Sequence, residues 1–157
     1  MRFFRRLARD RKGAVLAEFC LALVPLLTTF LAFVQLSRIA AARLVVKHAT
    51  IVGARAAAVI SNGANNNPGQ AQGSNEGEIA NAVKAALGPW QTKGAISAVD
   101  VNVTDSSSRG DPYNWVEVRV AATYSCNVPM GFVACGGRST QLIETYRMPH
   151  QGANYKE

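Results

Sequence analysis

The feature that most constrains this chain is an apolar run near its N-terminus, from Ala14 to Leu36. The run has 23 residues, with a single proline and four polar side chains, namely Glu18, Thr28, Thr29 and Gln35. At a rise of about 1.5 Å per residue, a helix of this length crosses the roughly 30 Å hydrocarbon core of a bilayer. It is also longer than the apolar stretch of roughly 7–15 residues in a cleaved secretory signal. The sequence therefore predicts a transmembrane helix over residues 14–36, surrounded by the lipid bilayer.

A basic leader, residues 1–13, precedes this run and predicts its orientation. The leader contains six of the 17 Lys and Arg residues but only one of the 10 acidic residues. Clustered basic residues stay on the cytoplasmic side of a membrane, so the rest of the chain should lie outside. Beyond the leader, 11 basic residues face 9 acidic ones, which leaves little of the net charge of +7 for a folded domain. We therefore expect no nucleic-acid partner, because such a partner needs a basic patch on that domain.

Glu18 places a carboxylate just inside the apolar run. A charged group at the centre of a membrane helix costs about 2.5–3.5 kcal/mol on insertion scales, and less near an end. Glu18 lies about 6 Å along the helix from Ala14, so its side chain can extend to the lipid headgroups. Alternatively, it meets a positive group in a protein-rich setting. Cleavage after Gly13 would create such a group, the α-amino group of Ala14.

The order of these residues has a parallel in a known family. The basic leader, Gly13, the segment Ala14-Val15-Leu16-Ala17-Glu18-Phe19 and then Leu-Ala-Leu-Val-Pro at 21–25 resemble a type IV prepilin processing site. In detail they resemble the TadE/TadF-like minor pseudopilins of the tight-adherence (Flp) pilus system. The Gly-x-x-x-x-Glu spacing is a weak signal alone, but its place between a basic leader and an apolar run makes it more specific. The resemblance covers residues 10–60 and, beyond them, only the general layout.

In that family a membrane-bound prepilin peptidase cuts after the glycine on the cytoplasmic side, and the acid is needed for processing or for subunit docking. The resemblance therefore implies cleavage between Gly13 and Ala14, and an assembly role for Glu18 with the aromatic Phe19 beside it. It also implies a single-pass protein of the bacterial inner membrane with a periplasmic domain, associated with a pilus. Its partners would be the peptidase, other pilins or pseudopilins and the pilus assembly platform.

A second class of function is open at this stage. The segment Ala40-Ala41-Ala42 before Arg43 can pass for a signal peptidase site. The chain would then be a secreted or membrane-tethered extracytoplasmic binding protein, with a signal peptide or a signal anchor. The apolar run is long for a cleaved signal, and Glu18 would have no purpose in such a protein. In either class we expect no enzymatic activity and no cofactor, because the sequence has no recognisable catalytic spacing and no phosphate-binding glycine loop.

The helix should continue beyond the membrane. Residues 37–60 contain no proline, one glycine and many alanines, and they predict a helical extension. Its apolar stripe is expected to consist of Ile39, Val46, Ile51 and Val59, interleaved with basic side chains. Residues 61–75 are uncharged turn-forming residues and predict a flexible loop.

Residues 76–157 predict an extracytoplasmic α+β domain. A second helix should run from Glu76 to Leu87, with its acids at the positive end of the helix dipole and Gly88-Pro89 as its end. After it the apolar period changes to two, over 99–103 and again over 116–124, which predicts an antiparallel hairpin. Ser139 to Arg147 can add a third strand. The apolar face of this sheet needs a cover, which the helical extension can provide. A long membrane helix that continues into a small antiparallel sheet is a pilin-like layout.

Cysteine usage agrees with a domain outside the cytoplasm. Cys126 and Cys135 both lie on the predicted outer side, where an oxidising compartment favours a disulfide between them. Two free thiols in small apolar pockets are the alternative. Cys20 lies at membrane depth and is interpreted as a small apolar residue. His48 and His150 are isolated in the sequence, so we expect no metal site.

Overall fold

The computed structural model describes residues 11–60, 76–106, 114–129 and 132–149. Over these residues the elements are α1 (Arg11–Ile60), α2 (Glu76–Thr92), β1 (Ile96–Asp105), β2 (Trp115–Ser125), α3 (Phe132–Cys135) and β3 (Ser139–Pro149). The long N-terminal helix and the small antiparallel sheet confirm the predicted α+β layout. Leader residues 1–10 and the predicted loop 61–75 lie outside the described residues.

The α1 helix is continuous from the end of the leader to the end of the predicted extension. It passes Pro25 without a break, although proline removes one backbone hydrogen bond. No glycine occurs from Ala14 to Val52, so the helix has no second destabilising residue close to the hydrogen bond that Pro25 removes. At about 1.5 Å per residue, the 50 residues of α1 form a rod about 75 Å long.

The outer half of α1 packs on the rest of the protein through a stripe of mostly small side chains. Its buried members are Gln35, Ala42, Val46, Ala49, Thr50, Gly53, Ala54, Ala57 and Ala58. Most of their spacings, three, four or seven residues, keep them on one face of a helix. The predicted stripe is confirmed at Val46 and at the half-buried Ile39, but it is wrong at Val59, whose side chain is 59% exposed. Alanine at the contact lets α1 approach its neighbours closely.

Helix α2 ends at Thr92, so the predicted end at Gly88-Pro89 is wrong. Pro89 lies near the C-terminal end of the helix, where its effect on the backbone is limited to the turn before it. The side chain of Trp90 is half-buried and packs against the core, which favours one further turn. The Thr92 hydroxyl also donates to the Gly88 carbonyl oxygen across 3.0 Å.

The actual end of α2 is a Schellman motif at Gly94. Gly94 has φ +65°, a left-handed conformation that glycine adopts without strain. Its N–H donates to the Gln91 carbonyl at 2.9 Å, and the Ala95 N–H donates to the Trp90 carbonyl at 3.1 Å. These are the two bonds that define this cap. The helix is therefore ended by Gly94 and not by Gly88.

The three strands form an antiparallel meander in the order β1-β2-β3. This confirms the predicted hairpin and the third strand. Along β2, alternate side chains from Val116 to Tyr124 are buried, as the period of two indicates. Strand β1 begins at Ile96, earlier than the alternating valines suggest, because a bulge between Ser97 and Val99 shifts the register. The bulge lets Ile96 be buried on the same side as the valines.

Helices α1 and α2 cover one face of the sheet and close the hydrophobic core, as predicted for α1. The two helices meet at Gly53. A methyl group added there would lie 2.5 Å from Val83 Cγ2 and 3.4 Å from Val118 Cγ1. Gly53 therefore fixes the distance between α1, α2 and β2, and no larger residue fits without displacement.

Candidate functional site

The first half of α1 exposes its apolar side chains. Between residues 14 and 36 the large exposed ones are Val15, Leu16, Phe19, Leu21, Val24, Leu26, Leu27, Phe30, Phe33 and Leu36. Soluble proteins rarely expose a contiguous apolar patch of more than a few hundred Å². In the described part of the chain, α1 alone is long and apolar enough to cross a membrane. Its exposure and position are consistent with the predicted single-pass membrane protein.

The predicted cleavage site lies in the first turn of α1. Gly13 and Ala14 are the third and fourth residues of this helix, which begins at Arg11. Cleavage itself stays a prediction.

Glu18 is exposed one turn after Ala14. Residues four apart lie on the same face of a helix, here about 6 Å apart along its axis. Glu18 forms neither of the salt bridges seen among the described residues, which join other side chains. Phe19 is also exposed. The carboxylate and the aromatic ring are thus both available to a group outside this domain.

The predicted disulfide between Cys126 and Cys135 is present. It closes the segment that follows β2 and contains α3, and this segment contacts α1. The Gln35 Nε2 donates to Cys135 Sγ across 3.4 Å, and Gln35 is fully buried. The outer domain therefore covers α1 from the last turn of the predicted membrane span onward.

Gln35 was not among the functional residues predicted from the sequence. Its Oε1 is buried and has no hydrogen-bond partner among the described residues. An unsatisfied buried amide oxygen costs about 1–3 kcal/mol, so apolar packing alone does not account for glutamine here. Gln35 lies seven residues before Ala42 and fourteen before Ala49, and this helical repeat is the sequence signal that could have placed it on the buried stripe.

A cavity of about 340 Å³ beside the C-terminal end of α2 was also not predicted. Arg38 from α1, Trp90 from α2 and Lys93 from the turn after it line the cavity. More than 50 residues separate the first two in the sequence, so no local pattern brings them together. The available sequence signal for this cavity was Arg38, a basic residue two positions after the end of the apolar run.

The remaining candidate residues do not form a site over the described ranges. His48 is exposed on the outer half of α1, and His150 lies outside the described residues. Within those residues, no group of three or more His, Cys, Asp and Glu side chains is placed to hold a metal ion. Cys20 is exposed in the apolar half of α1 and is not part of the disulfide.

Comparison with protein-family models, with curated proteins and with solved structures finds no match to this chain. The roles considered for Gly13, Ala14, Glu18 and Phe19 therefore rest on their sequence resemblance and on the geometry of α1.

Proposed function

We propose that the chain is a membrane-anchored minor pseudopilin of a tight-adherence (Flp) pilus system. A prepilin peptidase would remove the leader after Gly13, and the apolar half of α1 would then serve as membrane anchor and assembly surface. The observation that carries this proposal is the position of Glu18. It is an exposed carboxylate without an ion-pair partner among the described residues, one turn from the predicted cut and inside a lipid-length apolar helix.

Cleavage and docking are linked by charge in this proposal. The cut converts the amide of Ala14 into an α-amino group, which is largely protonated near neutral pH. A carboxylate at membrane depth is stabilised by such a cation, because opposite charges attract more strongly where water is scarce. In one subunit the amine and Glu18 lie on the same helix face, and in an assembly Glu18 can instead bind the amine of a neighbour. Processing would thus create the partner that Glu18 needs.

The rest of the apolar half provides the contact area for assembly. Its side chains project around the helix and are not covered by the outer domain, apart from the last turn at Gln35. In the membrane these side chains contact lipid, and in a filament they can contact the same helices of other subunits. The outer domain, which is attached through one continuous helix, would be carried with them.

The alternative is a secreted or tethered binding protein. A signal peptidase cut after Ala42 is disfavoured by the packing, because Ala42 is buried in the middle of α1. The cut would also remove Gln35 and Ile39, which contribute to the packed interface. An uncleaved signal anchor has no such conflict, and the mature N-terminus distinguishes it from a pseudopilin.

The test of the assembly role is Glu18→Ala in the full-length chain. This variant should enter the membrane at least as well as the wild type, since a charge is removed from an apolar helix. We expect it to be left untrimmed or to fail to assemble with other pilins, measured by N-terminal processing and by the yield of surface pili. Glu78→Ala, which removes an exposed acid from α2, is the matched control and should behave as wild type. Wild-type trimming and piliation in Glu18→Ala would refute the role of Glu18.

A further inference from the structure

The cavity beside α2 combines cationic and aromatic groups. Its described lining includes Arg38, Lys93, Trp90 and Tyr124, together with the polar residues Ser125 and Asn127, and no acid. Arg38 and Lys93 are exposed, and neither forms an ion pair within the described part of the chain. Two unneutralised cations beside an aromatic ring favour an anionic ligand with an apolar portion. The cavity volume of about 340 Å³ lies in the range of small-ligand sites.

The height of this cavity relative to a membrane follows from the continuity of α1. Arg38 is two residues beyond Leu36, the last residue of the apolar run, which is about 3 Å along the helix axis. The headgroup layer extends roughly 5–7 Å beyond the hydrocarbon core on each side. Because α1 has no break between these residues, Arg38 lies within that layer whenever residues 14–36 span the bilayer.

Other residues place this end of the outer domain at the same level. The buried Gln35 contacts the Cys126–Cys135 segment in the last turn of the span. On α3 of that segment, Val133 is 55% exposed, although it is apolar. Tryptophan, arginine and lysine, which line the cavity, are characteristic residues of the membrane–water interface.

We propose that this cavity binds the phosphate headgroup of an anionic phospholipid from the outer leaflet. Arg38 and Lys93 would bind the phosphate, and Trp90 would lie against the top of the acyl chains. The bound lipid would hold the outer domain against the membrane before assembly. This inference rests on the membrane anchor of the proposed function, but not on cleavage at Gly13 or on pilus assembly.

The test uses the full-length chain in nanodiscs that contain phosphatidylglycerol and phosphatidylcholine, with retained lipids counted by native mass spectrometry. The wild type should retain phosphatidylglycerol selectively. Each basic residue at an anionic surface contributes about five-fold in affinity, so Arg38→Gln/Lys93→Gln should lower the selectivity by about 25-fold.

The matched control is Arg55→Gln/Lys84→Gln, which removes the same charge from two exposed residues that do not line the cavity. Arg55 is 17 residues beyond Arg38, about 25 Å along α1, well beyond the Debye length of about 8 Å at physiological salt. The control should retain the wild-type selectivity. Equal loss in both double variants, or no lipid preference in the wild type, would overturn the proposal.

Two further measurements separate the sources of phosphate and do not depend on the double variants. Millimolar inorganic phosphate should not displace the retained phosphatidylglycerol, and displacement would indicate a site for soluble phosphate instead. In a Trp115→Phe background, Trp90 emission should be quenched more by phosphatidylglycerol brominated near the headgroup than by phosphatidylcholine brominated at the same carbons. Equal quenching would contradict the site. If these results hold while the mature chain still begins at Met1, the pseudopilin proposal fails and the lipid site stands.

Discussion

The two halves of α1 have the same backbone and opposite surroundings. Before Gln35 the helix carries large apolar side chains that are mostly exposed, and from Gln35 onward its inner face carries small side chains that are buried. Leu26 in the first half and Leu44 in the second are almost equally exposed, at 66% and 68%, but they have different neighbours. Leu26 is surrounded by other exposed apolar residues, whereas Leu44 stands among exposed basic ones. The first half is therefore adapted to lipid or to other apolar helices, and the second to a protein core on one side and water on the other.

The largest expected effect comes from a charge at the middle of the membrane half. Leu26→Arg replaces a residue that favours membrane insertion by one that opposes it. The apparent free energy of insertion should rise by about 3–4 kcal/mol. We expect the variant to be lost from the membrane fraction after alkaline extraction. Leu44→Arg makes the same exchange at equal exposure in the outer half and should remain anchored. Equal behaviour of the two variants would remove the distinction between the halves.

The next largest effect is expected from removal of the Cys126–Cys135 disulfide. This disulfide closes the segment that contacts Gln35, where the buried half of α1 begins. The Cys126→Ser/Cys135→Ser variant loses a crosslink over a loop of about ten residues, worth about 2.5–3 kcal/mol in the chain-entropy model. The midpoint of denaturant unfolding of the outer domain should fall, with membrane insertion unchanged. Cys20→Ser in the lipid-facing half is the control and should leave the midpoint in place. A midpoint unchanged in the double variant would show that packing alone holds the segment.

A methyl group at the helix contact tests the close packing of the outer half. Gly53→Ala should destabilise the domain by about 1–2 kcal/mol, because overpacking against Val83 exceeds the gain in helix propensity. Gly77→Ala on α2 is the control, since a methyl group there meets no atom within 4 Å. Chemical denaturation of both variants measures the difference. If Gly53→Ala were as stable as the control, α1 and α2 could move apart enough to hold the methyl group without loss of stability.

The smallest effect is expected on the exposed face of the sheet, away from either half of α1. Arg147 pairs with Glu117 and lies 4.4 Å from the centre of the Trp115 ring. Arg147→Ala should lower the free energy of unfolding by about 1 kcal/mol, and high salt should reduce the ionic part. Arg119→Ala, an exposed residue on the same face without an ion pair among the described residues, serves as the comparison. Arg147→Ala should unfold at a lower temperature than Arg119→Ala. Identical melting curves would show that the contacts of Arg147 with Glu117 and Trp115 do not contribute to stability.

The sequence predicted those parts of the fold that repeat with a regular period. The apolar run, the helical extension and the alternating strands are local patterns, and α1, β1, β2 and β3 appear where these patterns lie. The pairing of Cys126 with Cys135 followed from their proximity and the predicted compartment. Features that depend on distant contacts were missed. Trp90 packs on a core formed by later strands, so α2 outlasts Pro89, and the bulge after Ser97 moves Ile96 to the core side against the local alternation.

The candidate functional residues also fall into those that the local sequence predicted and those that it did not. Gly13, Ala14, Glu18 and Phe19 lie close enough in sequence to be recognised from their order. The structure adds the exposure of Ala14, Glu18 and Phe19 and the place of all four in the first turns of α1. The contacts of Gln35 and the cavity at Arg38 were missed, because they depend on which residues of the outer domain reach the end of the membrane span. Sequence spacing has no information on contacts between residues 50 or 100 positions apart.

The measurement that tests the central claim most directly is N-terminal sequencing of the mature protein from its membrane. The pseudopilin account predicts a chain that begins at Ala14, with the basic leader removed and the apolar half of α1 intact. A chain that begins at Arg43 would indicate a cleaved signal, and an intact Met1 would indicate a signal anchor. Either result would contradict the account, because the first would remove Glu18 itself and the second would leave Glu18 without the amine that cleavage after Gly13 provides.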